Sequence, residues 1–249
     1  MAIQASAEQQ SALLDLQQHD TALLQLAHRR SSLPQISQVQ DLEAELGSYQ
    51  LKLVAIKTEI SDISLTQAKA DNDVLQVVQR AERDQQRLDS GAVTSAKDLE
   101  ALQHELVSLK KRQTELEDVE LEIMEQLEDA RGVQVEIEAQ VANVTASLEV
   151  ATQSRDTEFA EIDALIATEM AARASVAQNI DSELLALYDK VRIDLGGVGA
   201  ALLHRGACQG CHIALDATEV DRIRHLPADT VVRCEECRRI LVRTSESGL

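Results

Sequence analysis

Two long heptad runs meeting at a short turn, and two closely spaced cysteine pairs beyond a Gly-Gly break, predict a mostly α fold: a long antiparallel coiled-coil helical hairpin over residues 1–195, then a small zinc-ribbon domain over 196–249. Composition is the third observation. A single Phe, two Tyr and no Trp in 249 residues are too few for an ordinary globular core of that size, so the core must be long and thin.

The first run alternates three- and four-residue spacing from Val39 to Leu88, and only Gln67 and Asp84 in it are polar. The second runs from Leu99 to Ala151, interrupted by Gln113, Glu120 and Gln134. Seams this long, flanked by Glu, Gln, Lys and Arg, are the pattern of a coiled coil rather than of a surface helix. The stretch Asp89 to Ser95 between them is the predicted tip. Gly91 suits a left-handed helix stop, Ser95 can cap the next helix, and Asp98 sits favourably on its first turn. Helices joined by so few residues must lie antiparallel, which sets Leu46 near Val141 and Val74 near Gln113. The same register opposes Gln67 and Glu120, predicting one polar layer in the seam.

Upstream, an amphipathic helix is expected from about Ser6 to Arg30, with Leu13, Leu16, Leu23 and Leu26 as its apolar stripe and Asp20 breaking it. Its expected partner is the returning helix, with Leu16 near Ala172 and Leu23 near Leu165. Ser31 to Pro34 predicts a kink, because Pro34 lacks a backbone donor and disfavours helix at Leu33. The second helix then begins near Gln35 and is about 80 Å long. The returning helix is expected to continue through Asp181 and Tyr188 to Gly196-Gly197, which stop it.

Beyond the glycines the pattern shortens: a strand from Val198 to Arg205, a helix or loop from Asp216 to His225, and strands at Val231 to Arg233 and Ile240 to Val242. Cys208, Cys211, Cys234 and Cys237 punctuate these segments as two Cys-x-x-Cys pairs. Two intervening residues let a tight knuckle aim both sulfurs at one ion, so two knuckles complete a tetrahedral zinc site, one ion per chain. A closed tetrahedron leaves no catalytic position. An iron–sulfur cluster uses the same ligands, and a thioredoxin-like pair the same spacing, although the latter opens a helix in an α/β domain that this tail lacks. His204, His212 and His225 read as surface residues, since four cysteines already suffice.

Acidic residues outnumber basic ones 43 to 24, a net charge of −19, which disfavours wholesale wrapping of nucleic acid and most anionic membranes. From His204 to Glu246, however, seven Arg balance seven Asp or Glu. Arg238, Arg239 and Arg243 cluster on the last knuckle and strand as candidate partner-binding residues, or as counter-charges to the thiolates. The opening residues Met1 to Glu8 lack the basic and apolar regions of a secretory signal, and no apolar run reaches membrane-spanning length. A cytoplasmic protein is expected, with a protein or nucleic-acid partner and no membrane. No pocket-forming domain for a small-molecule substrate, and no convergent nucleophile and base, can be found, so an enzyme is not expected. A purely structural scaffold is the remaining alternative.

With both halves in view, the chain resembles the bacterial family of coiled-coil proteins that end in a C4-type zinc ribbon. The hairpin, the tip Ser90-Gly91-Ala92-Val93-Thr94-Ser95-Ala96-Lys97-Asp98-Leu99 with the residues to Glu105, and the four cysteines carry the resemblance. The family tip usually has Pro where this chain has Ala96 and Glu where it has Asp98. The resemblance implies a cytoplasmic, non-enzymatic regulatory protein or adaptor tied to gene regulation, with partners in the transcription machinery or RNA. It carries no binding residue beyond the four metal ligands.

Overall fold

The computed structural model describes residues 3–249; Met1 and Ala2, which begin the segment read for a leader, lie outside the described residues. Helices α1 (Ala7–Ser31), α2 (Pro34–Asp89), α3 (Ala96–Ala177) and α4 (Ser182–Asp194) come first. Strands β1 (Ala200–His204) and β2 (Ala207–Cys208), helix α5 (Ala217–His225), and strands β3 (Val232–Arg233) and β4 (Ile240–Val242) follow. Packing divides the chain into Ser37–Thr152 and a second unit made of the residues up to Ile36 together with Gln153–Leu249. This division differs from the expected 195/196 boundary, because the ribbon shares its unit with α1, α4 and the last part of α3.

In the unit Ser37–Thr152 every residue of both heptad runs is buried or half-buried, and Val39, Leu127, Ala130 and Ala151 lie deepest. The ion pairs Arg80–Glu105 and Lys57–Glu138 (3.5 Å) join the two helices in the antiparallel sense. At the tip, Gly91 takes φ +67° just past the end of α2, and the Leu99 N–H bonds to the Ser95 carbonyl at 3.0 Å, which puts Ser95 at the cap of α3.

The polar layer differs from expectation. No hydrogen bond joins Gln67 and Glu120 among the described residues; Glu120 instead lies beside Asp71, and burial together with that second carboxyl pushes its pKa up. A carboxyl raised in the folded state costs stability when ionised, and the cost disappears as pH falls through the raised value. Glu120→Gln is therefore expected to stabilise this unit at pH 7 by about 0.5 kcal/mol, a small figure because the site is largely solvated. Thermal melts followed by helical ellipticity check it, and the advantage should vanish near pH 4.

The other unit corrects three more expectations. Pro34 begins α2 instead of preceding it, since the first turn of a helix has no use for the missing N–H. The returning helix stops at Ala177, and Asp181 caps a separate helix, its carboxylate accepting from the N–H groups of Glu183 (2.8 Å) and Leu184 (3.4 Å). Leu165 is 48% exposed, while Ile166 lines a groove with Leu23, so the apolar stripe slips by one residue where α1 and α4 replace a single facing helix.

Leu13 and Leu16 are fully buried, but in a cluster with Ile180, Leu184, Tyr188, Ala200, Ile240 and Val242. The sheet has the order β2-β1-β4-β3, with β1 and β4 parallel and both outer pairs antiparallel. Strand alternation sends Ala200, Ile240 and Val242 toward α1 and α4. It sends Ala201, Leu203 and Leu241 to the opposite face, against Ile223 of α5, Val232, Cys208 and Cys234. The unbroken apolar run of β4 is thus the mark of a strand covered on both faces. At one end the chain start joins in: Gln4 bridges Thr230, and the Ala5 N–H bonds to the Asp229 carbonyl at 2.8 Å.

Candidate metal centre

Cys208 ends β2 and Cys234 directly follows β3, and each opens a knuckle of the same construction. The N–H of the residue after the second cysteine bonds back to the carbonyl of the first: His212 to Cys208 at 2.7 Å, Arg238 to Cys234 at 2.9 Å. That closure requires left-handed backbone at a residue with a side chain, and both comply, with φ +60° at His212 and +64° at Arg238. The knuckles also turn backbone N–H groups onto sulfur, those of Gly210 and Cys211 toward Cys208 and those of Glu236 and Cys237 toward Cys234.

All four Sγ atoms lie within 4.8 Å of one another, and the cross-knuckle distances are 3.8 Å for Cys208–Cys237 and 3.9 Å for Cys211–Cys234. A tetrahedral zinc ion with Zn–S bonds of about 2.3 Å has sulfur–sulfur edges of about 3.8 Å, so the donor set fits a single zinc. A cage this tight does not hold an iron–sulfur cluster, and the separations are far from the ~2.05 Å of a disulfide. No histidine belongs to the thiol group among the described residues. His204 faces Glu246 at 3.5 Å, and His225 Nδ1 meets the Asp221 carbonyl at 2.8 Å.

Electrostatically the four thiols are unequal. Burial pushes Cys208 up to about 12 and raises Cys234 as well. Cys237 is held down at about 7: burial opposes ionisation there, but the Arg239 backbone N–H and guanidinium, with the Cys234 and Cys211 thiols, outweigh it. Cys237 is thus readier than Cys208 or Cys234 to present a sulfur anion, and a metal must displace protons from those two more buried thiols.

The three candidate arginines do not form one face. Arg239 turns inward: its guanidinium donates to the carbonyls of Val198 (3.1 Å) and Gly210 (3.2 Å), tying the knuckles to the start of the ribbon. Arg243 reaches the end of α5 and donates to Pro227 (2.7 Å), Thr230 (2.8 Å) and Ala228 (2.9 Å), with longer bonds to Ile223 and Leu226. Arg238 alone is exposed, and its guanidinium has no partner among the described residues. Arg243→Ala should cost about 2–3 kcal/mol, because several carbonyls lose a charged donor, whereas Arg238→Ala should cost less than about 0.5. Chemical denaturation of the zinc-loaded chain, read by hydrogen exchange in the ribbon, checks the contrast.

A polar hub behind the sheet escaped the sequence reading. Gln17 of α1 accepts from the Gly199 N–H (2.7 Å) and donates to the Gly197 carbonyl (2.9 Å), pinning the entry to β1. Asp20, 3% exposed, accepts from Tyr188 and from Arg173, each at 2.7 Å, and Arg192 lies 3.5 Å away. The only signal in the sequence was the interruption of the apolar stripe by Asp20. Gly197 takes φ +107°, a backbone conformation that any side chain would strain.

Comparison with known proteins agrees with this architecture. Residues 16–196 match the family model of the CT398-like coiled coil hairpin domain, and residues 207–241 that of the C4-type zinc ribbon domain. An uncharacterized protein of Mycobacterium tuberculosis (strain ATCC 25618 / H37Rv) is 35% identical over 97% of this chain and 98% of its own. One from Mycobacterium leprae is 27% identical over 87% of this chain and 93% of its own. A Mycobacterium smegmatis structure superposes with a TM-score of 0.85 at 33% identity, covering 97% of this chain and all of that one. The structure of CT398 from Chlamydia trachomatis shares the fold, with a TM-score of 0.70 at 17% identity over 94% of this chain and 97% of its own.

Proposed function

The chain belongs to the family of CT398-like coiled-coil hairpin proteins, here with a C-terminal C4-type zinc ribbon, and on that premise we propose that it is a non-enzymatic, zinc-dependent adaptor acting in gene regulation. It binds one zinc through Cys208, Cys211, Cys234 and Cys237, and it recognises a protein partner with the ribbon in the cytoplasm. The closed thiol tetrahedron carries the reading: with every coordination position filled by sulfur, a metal there holds a shape and activates no water. No described helix is long and apolar enough to cross a membrane, in keeping with this reading.

Arg238 is the residue of the original three that offers a free guanidinium, and it sits on the knuckle that closes the metal cage. Arginine is enriched at protein interfaces and also contacts phosphate, so the ribbon suits a protein surface first and nucleic acid second. The net charge of −19 weighs against extended phosphate contact, which would have to be confined to a few residues of the ribbon.

Affinity capture with the zinc-loaded chain from its native host, with and without nuclease, tests the assignment. A partner that survives nuclease and is lost with Arg238→Ala supports the adaptor. Capture that nuclease abolishes, with a salt slope of about −2 to −3 on labelled duplex, replaces it with nucleic-acid binding. Capture unaffected by Arg238→Ala moves the contact off the knuckle.

A further inference from the structure

Helix α2 carries a second heptad stripe on the side away from α3. At alternating three- and four-residue spacing from Gln40 to Gln79 there are twelve residues, and none is charged. All are exposed except Gly47, which is half-buried. Its bulky members are bare: Leu51 is 74% exposed, Val54 64%, Leu65 70% and Leu75 52%. The corresponding outward positions of α3 also expose Val107, Leu121 and Val135, but Glu100, Lys111, Asp118, Glu125 and Glu128 interrupt them, so that line is not charge-free. A stripe kept at a 3.5-residue repeat follows the supercoil that α2 already shares with α3, so it stays on one line instead of winding around the helix. Single exposed apolar residues need no explanation, but a charge-free line of this length on so acidic a protein does.

We propose that this face pairs with a second copy of the chain, α2 against α2, antiparallel about a two-fold axis between Thr58 and Ser61. The stripe is complementary to its own reverse. Inverted about that axis, Leu51 faces Ala68, Leu75 faces Ala44, and Val54 faces Leu65, so large meets small or medium at successive layers and the small hydroxyls of Thr58 and Ser61 sit at the centre. An isologous contact demands this self-complementarity. A parallel pairing would instead set Leu51, Leu65 and Leu75 each against itself and leave the layers of Ala44, Gly47 and Ala68 empty.

The extent is sufficient. Gln40 to Gln79 spans about 58 Å of helix, and at a contact width of about 10 Å the pair buries roughly 1,200 Å² in total, the low end for specific interfaces. The dimer should therefore dissociate on dilution. It should also tighten with added salt, because screening relieves the repulsion between two acidic stalks while the apolar contact is untouched.

Sedimentation equilibrium of the full, zinc-loaded chain from roughly 1 to 300 µM tests this, with a monomer–dimer equilibrium expected. The double variant Val54→Glu, Leu65→Glu sets carboxylates against each other at two symmetric layers and should weaken dimerisation at least about tenfold. Both positions are exposed, so helical ellipticity should hold. Combining Val54→Lys with Leu65→Glu in one chain should restore the dimer, since antiparallel pairing sets each introduced lysine against an introduced glutamate. Val107→Glu, on the outer face of α3, serves as the control that leaves dimerisation unchanged. A monomer at every concentration, a dimer indifferent to the Glu pair, or failure of the Lys/Glu combination to rescue would overturn the proposal.

Discussion

Replacing Cys234 by Ser is expected to abolish high-affinity zinc binding and to unfold residues 207–241 while the hairpin stays helical. One face of the sheet is cored by Ala201, Leu203, Ile223, Val232 and Leu241 together with the Cys208 and Cys234 sulfurs themselves, too small a cluster to stand alone. In such domains metal binding is the folding energy, on the order of 10–16 kcal/mol at pH 7. The opposite face packs on α1 and α4 and contains no thiol, so its members outside 207–241, Leu13, Leu16, Leu184, Tyr188 and Ala200 among them, should stay packed. Far-ultraviolet ellipticity should therefore barely change, since the nine-residue α5 is the only helix in the lost part, while amide exchange across 207–241 accelerates sharply. Chelation of the wild type should reproduce this pattern. Acid should too, because burial raises the Cys208 and Cys234 thiols and protons then compete with the metal as pH falls. Full zinc content in Cys234→Ser, with unchanged exchange, would show the ligand set to be wrong.

The second large effect lies behind the sheet. Asp20→Ala should destabilise the ribbon-bearing unit by about 3 kcal/mol, because Arg173, Arg192 and the Tyr188 hydroxyl all lose their buried acceptor. Both arginines keep a pairing with Asp189 and some solvent, which holds the cost near the lower end of the range for a broken buried pair. Tyr188→Phe removes one donor and should cost about 1 kcal/mol, and the double variant should cost less than the two single changes together. Exchange in Ser37–Thr152 should be unaffected by either.

The same hub predicts an alkaline limit. Burial, then the neighbouring Asp20 carboxylate, raises the Tyr188 phenol well above its ordinary value. A phenol raised in the folded state stabilises while neutral, so its contribution is complete below about pH 10 and is lost as pH climbs above it. Ultraviolet titration should show one tyrosinate forming only with unfolding of this unit, and Tyr188→Phe should remove that step.

How far the sequence reaches differs between the parts. Along Ser37–Thr152 each side chain's fate follows from its heptad position, because among the described residues this unit consists of α2 packed on α3, and a repeat of 3.5 residues determines which face they share. Seam, tip and direction were therefore legible, and so were the four thiols, since a knuckle is a local structure closed within five consecutive residues. Glu120 keeps the seam position its heptad gives it, but that position fixes only that a carboxyl points inward, not whether it interacts with Gln67 or Asp71.

Where a third element arrives, periodicity stops being informative. Asp20 reads as a flaw in an apolar stripe until Tyr188, Arg173 and Arg192 surround it, and those residues are separated from it by the whole hairpin. Arg238, Arg239 and Arg243 look equivalent as neighbours in one basic cluster, yet the left-handed turn at Arg238 throws its side chain outward while the carbonyls of Gly210, Val198 and the end of α5 draw the other two in. Heptads and cysteine spacing, being local, are determined by the sequence alone. Which charges are spent inside the fold, and which remain to meet a partner, depends on long-range neighbours that only the tertiary structure brings together.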